Sequence, residues 1–469
     1  MRKVAGVVVV VVLLVLVVAP AGVGLMVENN YRQLWQAALE DQPGYDASVA
    51  EYERGWFSSS ARVEIAVSEP AMAEFLSESD WGKADEQDGT VRLSLHERIH
   101  HGPLALGAPA PFSQRLRPGA GVVHTHLDQT LPLDGVDISG ITMTTRLGLG
   151  GQLHAHLRIE PMEHEFDDGS SLALEHRMTL DIRTDQALQR LQSELRGDSL
   201  YIRGDGGESV SLESIRAQTD QRRGTGGLWL GETDFRAGLI GMAFPMGAPL
   251  EVRDLRWQSQ ASEADALLEQ QHQIRAKSVK SGALTAQPVR LDMSFYNLDI
   301  RSITTLQERL AELPPPHPEA PADDYASELL DEVRDTLRRM ARHEPGLRLD
   351  TLSIGLEDGT LEGNGKLEVI AADDATFDHH LDRGTLIRLL QADGRLAASR
   401  EMVRQTLIRT MGEGISHPDM KSELEDMADM QIDQAIAEGL LVENADNLEM
   451  RLRLEQGVFH LNQREIYRF

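Results

Sequence analysis

The chain has 469 residues and no cysteine. Thiol nucleophiles, disulfides and Cys-based metal sites are excluded, so histidines, carboxylates and hydroxyls must carry any chemistry. His124-Thr125-His126 and His154-Ala155-His156 each place two imidazoles two residues apart. Side chains alternate along a strand, so each pair shares one face. Such a pair chelates zinc if a third ligand arrives from elsewhere. Leu153, Ala155 and Leu157 claim the packed face around the second pair. The pattern therefore predicts wet imidazoles and no metal site. Asp378-His379-His380-Leu381-Asp382 is denser and reads as an acidic loop that holds cations loosely.

No catalytic signature stands out. There is no Gly-x-Ser-x-Gly elbow, no His-Glu-x-x-His and no Walker loop. Gly224-Thr225-Gly226-Gly227 lacks the strand–turn–helix setting of a dinucleotide site. Ser58-Ser59-Ser60 has no nearby base and reads as the polar start of a strand. Paired acids such as Asp167-Asp168 and Asp373-Asp374 are expected where 75 acidic residues face 46 basic ones. The net charge of −29 argues against a nucleic-acid partner and against broad adsorption to anionic lipid. No catalytic residue, metal site or cofactor is predicted.

Strands dominate the elements that would position these residues. Alternation predicts a hairpin over 45–52 and 57–67, turning through Glu53-Arg54-Gly55-Trp56. Further strands are expected across 91–300, separated by Gly-rich turns such as Gly204–Gly207. Helices are expected over 28–42, 186–195, 303–313, 323–342, 385–391, 397–411 and 419–438. In the last of these, Leu424, Met427, Ala428, Ile432, Ala435 and Ile436 form the expected buried stripe. Hairpins are expected around Asp358-Gly359 and Gly457. The fold class is α+β: an extended, mostly antiparallel sheet body, a helical C-terminal segment and one N-terminal transmembrane helix.

That last helix rests on 4–27, an uncharged run of 24 residues preceded by Arg2 and Lys3. About 20 apolar residues cross a bilayer core, and the leading positive charges favour a cytoplasmic N-terminus. Ala19-Pro20-Ala21 offers a second reading, cleavage by signal peptidase. Either way the bulk of the chain is expected outside the cytoplasm. The expected division is an anchor or uncleaved signal over 1–27, a β-rich periplasmic body over 28–312, a Pro-rich linker over 313–322, and a mixed helix and hairpin segment over 323–469.

Tyr52-Glu53-Arg54-Gly55-Trp56-Phe57-Ser58-Ser59 resembles the Tyr-x-Arg-Gly-x-Phe-Ser-Ser signature of the YdgA-like family of bacterial envelope proteins of unknown function. His101-Gly102-Pro103 resembles that family's His-Gly-Pro step, although Leu104 stands where a Phe is expected. The closing hairpin over 448–461 is also similar. The resemblance implies an inner-membrane protein, single pass, facing the periplasm. It brings no catalytic residue, so Tyr52, Arg54, Gly55, Phe57, Ser58, Ser59, His101, Gly102 and Pro103 are structural motif positions.

The expected function is non-enzymatic: binding or supporting another envelope component, a protein or a lipid held on a β-groove. The alternative is an exported hydrolase or metal-dependent enzyme, its site gathered from distant strands.

Overall fold

The computed structural model describes residues 31–32, 45–55, 58–67, 83–84, 91–101, 121–127, 140–148, 152–165, 169–312 except 186, 205, 246 and 283, 336–370 except 337, 387–412 and 420–468. The expected anchor over 4–27, the linker over 313–322 and most of the helix expected over 323–342 lie outside these residues. Among the described residues, no helix is long and apolar enough to cross a membrane. The chain divides into two compact units, 1–223 with 313–315, and 224–312 with 316–469.

The first unit contains β1 (Tyr45–Arg54), β2 (Ser58–Val67), β3 (Lys83–Ala84), β4 (Val91–His101), β5 (Gly121–Leu127) and β6 (Ile141–Leu147). It continues with β7 (Leu153–Ile159), β8 (Met162–Glu165), β9 (Ser171–Leu174), β10 (Met178–Thr184), β11 (Arg190–Arg203) and β12 (Ser209–Arg223). Antiparallel pairing runs β1–β2–β4–β5–β6–β7–β10–β11–β12. The small hairpin β8–β9 attaches to the far end of β11, and β3 to β4. Its core gathers Ala61, Val63, Ile99, Val123 and Leu147, with Tyr31 laid against them. Tyr31 donates its phenolic hydrogen to Glu97, so this carboxylate on the packed face is not left bare.

The helix expected over 186–195 is instead the start of β11. Leu191 and Leu195 are four apart, which suits a helix turn but equally suits period two. The register decides it: Leu191 to Arg196 pair with β10 on one side and β12 on the other. Asp185 turns the chain, accepting the Gln189 backbone N–H at 2.7 Å.

The second unit contains β13 (Trp229–Ala243), β14 (Leu250–Ala264), β15 (Leu267–Ala276), β16 (Ser278–Ser281), β17 (Leu284–Ala286) and β18 (Val289–Asp299), then helix α1 (Ile300–Glu312). It goes on through β19 (Gly346–Leu356), β20 (Gly359–Val369), β21 (Leu390–Ser399), α2 (Arg400–Gly412) and α3 (Met420–Ala437). It ends with β22 (Val442–Asn444), β23 (Asn447–Glu455), β24 (Val458–Leu461) and β25 (Arg464–Arg468). Antiparallel pairing runs β13–β14–β15–β18–β19–β20–β21–β23–β24–β25.

Ile387 and Arg388 are helical, as expected, but β21 takes 390–391 from the helix expected over 385–391 and 397–399 from the one expected over 397–411. Its inward residues are Ala392, Gly394, Leu396 and Ala398, and this small-residue alternation is too faint to read as a strand. Ser399 then caps α2, accepting the Met402 backbone N–H at 3.2 Å. In α3 the buried stripe is narrower than the sequence suggests. Ala428 and Ile432 are sealed, but Met427 is 44% exposed. Helix phase explains it: residues four apart stack on one face, and Met427 sits one step off that line.

Candidate functional site

Two surfaces deserve a chemical reading, one in each unit. In the first unit the register builds a polar seam. Residues paired directly across antiparallel strands point to the same face. Arg98, His124, Thr144, His156, Asp181, Glu194 and Gln218 are paired in turn across seven strands. The neighbouring row carries His100, Val122, Arg146, His154, Arg183, Gln192 and Asp220.

His156 Nδ1 lies 3.1 Å from Asp181 Oδ1, and His154 Nε2 lies 3.3 Å from the same oxygen. Both imidazoles are partly in water, with side-chain exposures of 37% and 44% for His154 and His156. The expected outward direction of this pair is what the structure has. Burial pushes the Asp181 carboxyl up, but the hydrogen bonds and charge of His156 and His154 outweigh it and hold it below the usual carboxylate range. Asp181 was not singled out by the sequence, because nothing in the spacing of residues 154 and 181 reveals that β7 and β10 are neighbours.

His124 departs from expectation. It is only 7% exposed, its ring meets His100 edge-on at 5.8 Å, and its Nδ1 lies 3.3 Å from Thr144 Oγ1. A histidine accompanied by hydrogen-bonding neighbours on the polar face can be buried without joining the apolar core. The side chain of His126 and the cluster over 378–382 lie outside the described residues. Among the described residues, no group of three or more His, Asp or Glu side chains converges to hold a metal ion.

The motif positions fall on the first hairpin. Tyr52 stacks at a tilt on Tyr31, ring centroids 6.0 Å apart, beneath the Arg32 guanidinium. Arg54 pairs with Ser59, which is buried. The Gly55 N–H donates to the Ser58 carbonyl at 2.9 Å. Ser58 opens β2 as expected. His101 pairs with Gly121 at the end of β4. Phe57, Gly102 and Pro103 lie outside the described residues. The arrangement makes a fixed turn, across which the Ser60 hydroxyl donates to Glu53 Oε2 at a long 3.5 Å.

In the second unit, one face is mostly apolar, with Thr233 and Ser259 extending its second row beyond His272 and Gln270 its third beyond Phe295. One row reads Phe235, Trp257, Ile274, Leu291, Leu352, Gly363, Leu396 and Met450. The next reads His272, Met293, Leu349, Gly365, Gly394, Leu452 and Leu461. A third reads Phe295, Leu347, Leu367, Ala392, Leu454, Phe459 and Tyr467. The opposite face carries charge, including Asp234 held by Arg236 and Arg256, each at 2.7 Å.

None of these apolar side chains is sealed. Trp257 is 37% exposed, Leu367 38% and Tyr467 58%, and the rest are half-buried. A packed sheet face would bury them almost completely. Trp257 stacks on His272 with centroids 6.2 Å apart, and His272 meets the Phe295 ring edge-on at 5.9 Å. Burial pushes the His272 imidazolium down, so the neutral ring is favoured. Sequence reading missed this histidine, because one imidazole in an alternating strand carries no spacing signal.

No curated protein and no solved structure matches the chain. Over residues 1–467 the chain matches the family model described as a bacterial protein of unknown function, DUF945, and it belongs to that family.

Proposed function

We propose that this chain is a single-pass protein of the bacterial inner membrane, its body in the periplasm, which holds an acyl chain on the apolar sheet face of the second unit and catalyses no reaction. The observation that carries the reading is the row from Phe235 to Met450, apolar across eight strands and only partly buried. Leaving so much apolar surface wet costs roughly 25 cal/mol per Å² against burying it, and large exposed apolar patches mark binding sites. The membrane tether is supported by the uncharged run over 4–27 behind Arg2 and Lys3. The acidic surface gives no support to a nucleic-acid partner.

Native mass spectrometry of the detergent-extracted protein tests the binding. The expected spectrum carries adducts of lipid mass, diminished in Leu291→Asp. A wild-type spectrum free of adducts after gentle extraction would remove the reading. Alkaline phosphatase fused after Phe469 tests the topology: an active fusion is expected, and an inactive one would put the body in the cytoplasm.

A further inference from the structure

Resting on the acyl-chain reading, we propose that the ligand is a long-chain fatty acid whose tail lies on a floor made by Gly365 and Gly394 and whose carboxylate accepts a hydrogen bond from His272. The two glycines are paired with each other across β20 and β21, in the middle of the apolar face. A Cβ at Gly394 would meet one atom within 4 Å, the Asn364 carbonyl oxygen at 3.7 Å. The nearest atoms to a Cβ at Gly365 are the backbone of β21, at 3.1 and 3.2 Å. The floor is therefore bare backbone, with room for a side chain at Gly394 and the β21 backbone close against Gly365. Flanking rows raise Leu352 and Leu396 on one side and Leu367 and Leu454 on the other. Gly363, also on this face, is different: Leu396 Cδ2 would lie 2.7 Å from its Cβ, so that space is taken. A bare strip two strands wide between apolar ridges suits a slim, unbranched hydrocarbon better than a folded protein surface.

His272 lies in the same row as the glycines, four strand spacings from Gly394, or roughly 19 Å at about 4.8 Å per strand. Trp257 Nε1–H donates to His272 Nδ1 at 3.4 Å. That bond sets the neutral tautomer with its proton on Nε2, which then serves as a donor at the edge of the apolar rows. A carboxylate is the acceptor that gains most there, since a hydrogen bond to a charged group is about twice as strong as a neutral one. Between them, His272 and the glycine floor define a head and a tail position for one linear amphiphile.

The test uses the full chain held in amphipol and a palmitate carrying a diazirine at its tail end. Photocrosslinking is mapped by peptide mass spectrometry, with unlabelled palmitate and hexadecanol as competitors. Saturable adducts on β20, β21 or β23 are expected, with palmitate competing about tenfold better than hexadecanol. His272→Leu should keep the adducts and lose that difference. Gly394→Phe should lose the adducts while the thermal midpoint, measured alongside, reports whether it folds. Wild-type adducts on the face with no preference for the acid, or a preference that survives His272→Leu, would overturn the head assignment and leave the acyl-chain reading standing. No saturable adduct in the wild type would overturn both.

Discussion

Arg395 on β21 grips Glu449 on β23 with two hydrogen bonds, Nε to Oε2 at 3.1 Å and Nη2 to Oε1 at 2.6 Å. The carboxylate side chain is only 7% exposed, and Asn444 Nδ2 donates to it at 3.2 Å. Arg395, then Asn444, hold the Glu449 carboxyl well below the usual carboxylate range, at about 2. The folded-state value is depressed, so the bond contributes stability above the unfolded value near 4.5 and loses it as pH falls through about 2. Glu449→Gln should lower the urea midpoint at pH 7, and the gap between variant and wild type should shrink between about pH 4.5 and 2. A gap that stays constant with pH would show that the ionised form is not what matters.

Gly55 is expected to resist substitution for a reason the sequence did not supply. A tight turn there suggests positive φ, but Gly55 does not have it; instead a Cβ would lie 2.5 Å from the Ser58 carbonyl oxygen. The obstacle is backbone, which cannot swing aside. Gly55→Val should cost about 1–3 kcal/mol in chemical unfolding, and Gly55→Ala should already show most of it. An alanine variant with an unchanged midpoint would mean the hairpin relaxes freely.

The α3 stripe makes a paired prediction. Ile432 is 1% exposed, and Ile432→Ala should cost about 2–4 kcal/mol. Met427 and Met430 are exposed, and alanine at either should change stability by less than about 0.5 kcal/mol. Equal losses at 427 and 432 would mean that a partner covers the outer face of α3.

The His154–Asp181–His156 trio is expected to be a hydrogen-bonded surface group and no structural metal site. Both rings reach one oxygen, with side chains more than a third exposed. Chelator should leave the thermal midpoint of the purified chain unchanged. Stoichiometric zinc, lost together with stability and absent from the His154→Ala/His156→Ala double variant, would instead favour a metal-dependent enzyme.

Period-two alternation alone determined that most of this chain is antiparallel strand, because a half-buried strand must alternate. The outward direction of His154 and His156 followed from the same rule, while turn residues located the hairpins at Asp358-Gly359 and Gly457, and 3.6-residue periodicity with caps gave the approximate extents of α1, α2 and α3. Alternation fades when the inward residues are small, so β21 went unrecognised as a strand and its two ends were given to helices, although Ala392, Gly394 and Leu396 keep the period. Pairing is beyond the reach of local pattern, since a strand's neighbours are chosen by contacts distant in sequence. Only the tertiary structure set Asp181 opposite His156, buried His124, and laid Gly365 beside Gly394 in a row that also holds His272. Each of those residues is ordinary within its own strand; register across many strands is what brings them together.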